Sequence, residues 1–241
     1  MSSTLEFIST RAEQYTEVDA DPEVDPRGHL KQTLLRELQD TPVVVENSTA
    51  WGELRASAIF QPELRDAQIA AGGSVDVLVN NAGGNPAQQP DGLAALADAY
   101  ADTFRLNVIT AVLLTEALIP HFTAPGGRIV SVSSIAALRG AGPYGAAKAA
   151  LHGWTMGLAQ QLAPQGITVN LVAPGFVPAT EFWAERLTAE LEADRVSQIP
   201  LGRPGTPDEI AAGIAHLASP EAGWTTGQIL QINGGTLFGR G

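Results

Sequence analysis

No cysteine occurs in the 241 residues, which excludes disulfides, thiol catalysis and any thiolate metal site. Basic residues are scarce as well: 14 Lys and Arg stand against 26 Asp and Glu, a formal net charge of −12. An acidic surface of this kind draws neither nucleic acid nor an anionic membrane, although it leaves room for a local basic pocket that holds a phosphate. The four histidines are scattered, without a His-x-x-x-His pair, and give no metal signal. No uninterrupted run approaches the ~18 apolar residues of a membrane span. "MSSTLEFIST" lacks a basic segment followed by an apolar one, so no secretory signal is visible. The expectation is a cytoplasmic protein with no nucleic-acid and no membrane partner.

What is present describes a globular chain. Hydrophobic residues make up 44% and charged ones 17%, and the length suits one large domain or two small ones with a sizeable core. The texture changes near residue 74. Residues 1–40 are polar and include "EVDADPEVDPRG", with two prolines and no apolar period, which reads as an exposed linker or mobile arm. "HLKQTLLREL" (29–38) has the spacing of a short amphipathic helix, and "PVVVEN" (42–47) that of a strand.

From Val75 onward strands and helices alternate. "VDVLV" (75–79), "GGRIVSVSS" (126–134), "ITVNLVAPG" (167–175) and "GQILQINGG" (227–235) read as buried strands. Helices are expected over roughly 92–122 and 144–163, the second closed by Pro164 and Gly166. A third starts at Thr206, with Pro207 at its first position and Glu209 completing a capping box. This alternation predicts an α/β fold with a doubly wound parallel sheet, Rossmann-like, as one domain over 41–241 whose first βαβ half is incomplete.

Ligands in such sheets bind beyond the carboxyl ends of the strands. Those ends carry "NNAG" (80–83), "VSVSS" (130–134) and "APG" (173–175), followed by "YGAAK" (144–148) on a helix, Asn107 in "FRLNVIT", and "LQINGG" (230–235). A tyrosine four residues before a lysine shares its helix face and can exchange electrostatic influence with it. By itself that pair is more often packing than chemistry. In this ordered company, the chain from about residue 75 to its end resembles the short-chain dehydrogenase/reductase family.

The resemblance implies carbonyl–alcohol interconversion by hydride transfer with NAD or NADP, on a small-molecule carbonyl or alcohol substrate, in a homodimer or homotetramer. It implies that Tyr144 is the acid/base and that Lys148 lowers its pKa and binds the nicotinamide ribose. Ser134 would donate to the substrate oxygen, and Asn107 would hold a water that links the lysine to solvent. Asn80, Ala82, Gly83, Pro174, Gly175 and Val177 would lie along the cofactor together with Tyr144 and Lys148. Strand alternation turns Ser133 into the sheet and leaves Ser134 as the catalytic serine.

Two spacings depart from the family pattern. Only nine residues separate Ser134 from Tyr144, which predicts a tight loop through "IAALRGAGP". Thr180 stands one residue later after "PG" than is common, so a nicotinamide contact is not assigned to it. The segment 176–200 is expected to cover the site as a lid, with Phe176, Phe182 and Trp183 either walling the substrate or packing within the lid.

The glycine-rich turn that usually cradles the dinucleotide pyrophosphate is missing. Only Gly28 and Gly52 precede residue 72, and Asn47, Ser48 and Thr49 are the remaining candidates for anion donors in a strand–turn–helix. Three readings follow: a nicotinamide-dependent oxidoreductase with an altered N-terminal region, a cofactor-independent lyase, dehydratase or cyclase that uses Ser134 and Tyr144, or a silent oligomer partner.

Overall fold

The computed structural model describes residues 74–85, 90–140, 142–184 and 186–238. The acidic segment 1–40, the helix expected over 29–38, the strand over 42–47 and the Asn47–Thr49 turn lie outside the described residues.

Among the described residues, four strands form one parallel sheet in the order of the sequence: β1 (Val77–Asn80), β2 (Arg128–Val132), β3 (Thr168–Pro174) and β4 (Ile229–Ile232). Each falls inside an expected apolar run. Val, Ile and Leu dominate them because a parallel strand between two helical layers is covered on both faces. Ile129, Val130, Val169, Leu171 and Val172 have essentially no solvent exposure.

Helices cover both faces. On one lie α1 (Gly92–Phe104), α2 (Thr110–Leu118), the short α3 (Ala136–Arg139) and the long α4 (Gly142–Leu162). Leu158, Ala159 and Leu162 of α4 pack on Ile129 and Val169. Two short helices, α5 (Glu181–Ala184) and α6 (Ala189–Ser197), follow β3. The opposite face of the sheet receives α7 (Pro207–Ala218), whose Ile210, Ala211, Ile214 and Leu217 meet Val130 and Val172. Thr206 and Glu209 make both reciprocal bonds of the expected capping box. The layers are those of a doubly wound α/β domain.

Two local features depart from the expectations. The helical stretch over 92–122 is broken by a wide i→i+5 turn, Arg105–Ile109, with Asn107 at its centre. By length and hydropathy the whole stretch Gly92–His121 would also suffice to cross a membrane. Its contacts are those of a sheet-covering layer, since Thr103, Asn107, Val108, Ala111 and Thr115 are buried and Val108 and Ala111 pack on α4. The second departure is the tight loop expected between Ser134 and Tyr144, which instead winds into α3. Gly140 ends that helix in the left-handed region at φ 73°, where a side chain would be strained.

Candidate functional site

The site collects at the carboxyl end of the sheet. Beyond Val132 the chain leaves β2 through Ser133 and Ser134, while α4 brings Tyr144 and Lys148 on successive turns. Lys148 is 4% exposed, and its Nζ donates to the carbonyl of Val132 at 2.9 Å. The same Nζ lies 5.7 Å from the centre of the Tyr144 ring. Ser134 neighbours the Tyr144 phenol and lowers its pKa, and its Oγ accepts from the main-chain N–H of Ala136 at 3.1 Å, which opens α3. Three of the four expected catalytic side chains therefore meet at one point.

Asn107, the fourth, is 1% exposed. Its Nδ2 donates to the carbonyls of Gly84 (2.7 Å) and Thr103 (2.9 Å), and its Oδ1 accepts from Gly84 N–H at 3.1 Å. The side chain is thus a clamp on the loop after β1. The water-holding role implied by the resemblance is not visible in these bonds.

Electrostatics overturn one expectation. Burial raises the Tyr144 pKa, opposed by the hydrogen bond to Ser134 and by the charge of Arg186. The phenol is therefore not pulled down by Lys148 as the spacing alone suggests; desolvation wins. Burial also lowers Lys148 to about 8, since an ammonium out of water is the disfavoured form.

The expected cofactor-lining residues divide. Ala82 and Gly83 lie exposed beyond the end of β1. A Cβ on Gly83 would sit 2.6 Å from Asn107 Oδ1 and 3.3 Å from Lys148 Nζ, so the loop passes directly over the lysine. Asn80 faces the helix layer instead: it is buried, and its Nδ2 donates to Thr115 Oγ1 (3.0 Å) and Ser131 Oγ (3.2 Å). It braces β1 and β2 against α2. Pro174 ends β3, and Gly175 abuts Asn233, whose Cα would be 2.8 Å from an added Cβ. The Val177 side chain is buried in the core beneath α7. Its carbonyl accepts from Thr180 Oγ1 at 3.0 Å.

The lid aromatics form a chain of rings. Phe176 and Trp183 meet edge-on at 5.1 Å, Trp183 and Phe182 at 5.3 Å, and Phe182 reaches Tyr144 at 5.3 Å. Phe176 is buried and packs inside the lid, whereas Phe182 connects the lid to the tyrosine. A cavity of about 600 Å³ behind this segment is lined by Phe176, Ile199, Leu201, Asn233, Leu237 and Phe238, away from Tyr144 and Ser134.

Sequence reasoning missed Arg186. Its Nη2 donates to the carbonyl of Asn85, and its Cζ lies 5.1 Å from the centre of the Phe182 ring. The four-residue spacing of Phe182 and Arg186 was the available signal.

A family model described as Enoyl-(Acyl carrier protein) reductase matches residues 62–236. The chain belongs to the short-chain dehydrogenase/reductase family. Protein FixR of Bradyrhizobium diazoefficiens is 40% identical over 174 residues, which cover 68% of this chain and 60% of that protein. The 3-oxoacyl-[acyl-carrier-protein] reductase FabG of Vibrio cholerae is 36% identical over 193 residues, 76% of this chain and 77% of the relative. Among solved structures, a blue fluorescent protein from a metagenomic library in complex with NADPH matches with a TM-score of 0.64 and 34% identity, covering 72% of this chain and 70% of that one. The chain thus spans less than two thirds of FixR and about three quarters of FabG.

Proposed function

We propose that this short-chain dehydrogenase/reductase interconverts a carbonyl and an alcohol with NAD(P)H, using Tyr144 as the acid/base. The observation that carries the reading is the convergence of Ser134, Tyr144 and Lys148 at the carboxyl end of β2. The NADPH complex of the structural relative and the carbonyl-reducing name of the FabG relative support it.

The residues fit the nicotinamide end of such a cofactor. Lys148 is a buried ammonium with three N–H donors, and among the described residues only the Val132 carbonyl takes one of them. Two donors facing the exposed Ala82–Gly83 backbone suit ribose hydroxyls, because a buried cation without acceptors is costly. When bound, the cofactor supplies the hydride.

The chain's own residues would do the rest. Ser134 hydrogen-bonds the substrate oxygen and fixes it beside Tyr144. The raised phenol pKa keeps Tyr144 protonated near neutrality, which is the state needed to give a proton to the oxygen as the carbonyl is reduced. The cationic Lys148, charged below about pH 8, steadies the tyrosinate left behind. Gly84, clamped by Asn107, holds the loop that closes this end of the pocket. Outward-facing Leu93, Leu96, Tyr100, Leu106 and Ile109 on α1 and its wide turn, with Met156 on α4, suit burial in a homo-oligomer, which light scattering would reveal as a dimer or tetramer.

Titration of the purified protein with NADH and NADPH, followed by nucleotide fluorescence, tests the reading. Micromolar binding of either is expected. Absence of binding at millimolar concentration would remove the redox assignment and return the non-redox alternative to first place.

A further inference from the structure

We propose that Arg186 selects a substrate whose carbonyl lies one aromatic ring's breadth from a carboxylate, with an apolar body between the two. This rests on the assignment of Tyr144 as the proton-transfer group. The arginine stands in the lid just beyond α5 and is fastened at two points. Its Nη2 donates to the carbonyl of Asn85, across the mouth of the site on the loop after β1, and its guanidinium lies 5.1 Å from the centre of the Phe182 ring. Phe182 in turn meets the Tyr144 ring at 5.3 Å, with the two planes tilted by 44°.

The order guanidinium, phenyl ring, phenol fixes the geometry. A molecule with its carbonyl at Tyr144 and its apolar part along Phe182 ends at Arg186.

The bland alternative is a solvated surface arginine. Three observations set Arg186 apart. Arg186 is exposed and, like Arg128 and Arg139, has no carboxylate partner among the described residues, but unlike them it lies against the ring that touches Tyr144. Its two anchors are a carbonyl and a ring face, which leave four N–H donors and the full positive charge. Its charge also reaches the Tyr144 phenol, which places it in the electrostatic field of the reacting group. A guanidinium held in place and without a carboxylate partner among the described residues, in a chain of net charge −12, suits a planar anion that it can grip with two parallel bonds.

The test compares 4-acetylbenzoate with its methyl ester as substrates, with NADH and NADPH, in the wild type and in Arg186→Gln and Arg186→Lys. The wild type should favour the acid. The acid-to-ester ratio of kcat/KM should fall about 10- to 100-fold in Arg186→Gln, the scale of one charge-assisted contact, and recover partly in Arg186→Lys. An unchanged ratio overturns the proposal. So does a loss of NADPH affinity in Arg186→Gln with the ratio intact, which would assign the cation to the cofactor pyrophosphate.

If neither ketone is turned over, the oxidoreductase reading is what fails, and calorimetry still decides the role of Arg186. With or without NADP, 4-ethylbenzoate should bind the wild type and its neutral amide should not. The acid should lose about 10-fold or more in affinity in Arg186→Gln. Failure of the acid to bind wild type at millimolar concentration, or equal binding of acid and amide, overturns it.

Discussion

The hydroxyl of Ser133 lies 2.8 Å from Nε2 of His152 and donates to the Lys148 carbonyl at 3.2 Å. With the hydroxyl proton given to the carbonyl, the histidine must carry its own proton on Nε2 and donate to the serine oxygen. This buried bridge ties the end of β2 to α4, one turn beyond Lys148, and so sets how the lysine faces the site. Burial also lowers the His152 pKa, favouring the neutral ring this arrangement uses. Ser133→Ala leaves the imidazole N–H unpartnered and should destabilise the fold by about 1–3 kcal/mol, read as a lower urea midpoint. A midpoint equal to wild type would show that the bridge holds nothing.

Lys148 couples stability to pH in a predictable sense. Its folded-state pKa is lowered to about 8 from 10.5, so between those values the folded chain binds fewer protons than the unfolded one. Stability from this group therefore rises with pH across that window, and below pH 8 the full penalty of a buried charge is present. Lys148→Met should raise stability at pH 7 by about 1–2 kcal/mol while reducing turnover sharply. The reductive kcat/KM of the wild type should decline above about pH 8. A melting temperature for Lys148→Met below that of wild type at pH 7 would contradict this account.

Tyr144→Phe removes the phenol oxygen and keeps the ring that contacts Phe182. Turnover should fall about 10²- to 10⁴-fold, with nucleotide affinity and thermal midpoint close to wild type. Undiminished turnover would place the proton transfer elsewhere.

Gly83 and Gly84 make a matched pair. A methyl on Gly83 collides with Asn107 Oδ1 and crowds Lys148 Nζ, whereas one on Gly84 meets only Leu106 Cδ2 at 3.6 Å. Gly83→Ala should destabilise by about 1–3 kcal/mol and lower kcat/KM by 10-fold or more, because it displaces two site residues at once. Gly84→Ala should stay within about 0.5 kcal/mol of wild type. Equal effects in urea melts of the two variants would mean that the loop shifts freely over the lysine.

Much of this site was legible because its parts sit where local rules place them. Strand runs end at "NNAG", "VSS" and "APG", and a Tyr–Lys pair four apart must share a helix face. Alternation along β2 also separates Ser133 from Ser134, since the first is buried against α4 and the second acts on the phenol. What was not legible depends on burial and on partners far apart in sequence. The direction of the Tyr144 shift is decided by desolvation, which no spacing reports. Asn107 meets Gly84 across 23 positions, and Arg186 meets Asn85 across 101. The short interval between Ser134 and Tyr144 suggested a loop, but Ser134 Oγ starts a helical turn and Gly140 stops it, so the same residues coil instead.

The wide turn at Arg105–Ile109 has a consequence for how this chain tolerates insertions and deletions. Buried Thr103, Asn107, Ala111 and Thr115 recur every four residues, and in a regular helix each such step drifts about 40° around the axis. The wider turn takes up part of that drift and keeps the stripe against the sheet. Deleting one residue there would restore an ordinary helix, turn one half about 100° against the other, and carry Asn107 away from Gly84. Length in this segment is therefore under tight constraint: its outward side chains can be exchanged one at a time, but its phase cannot.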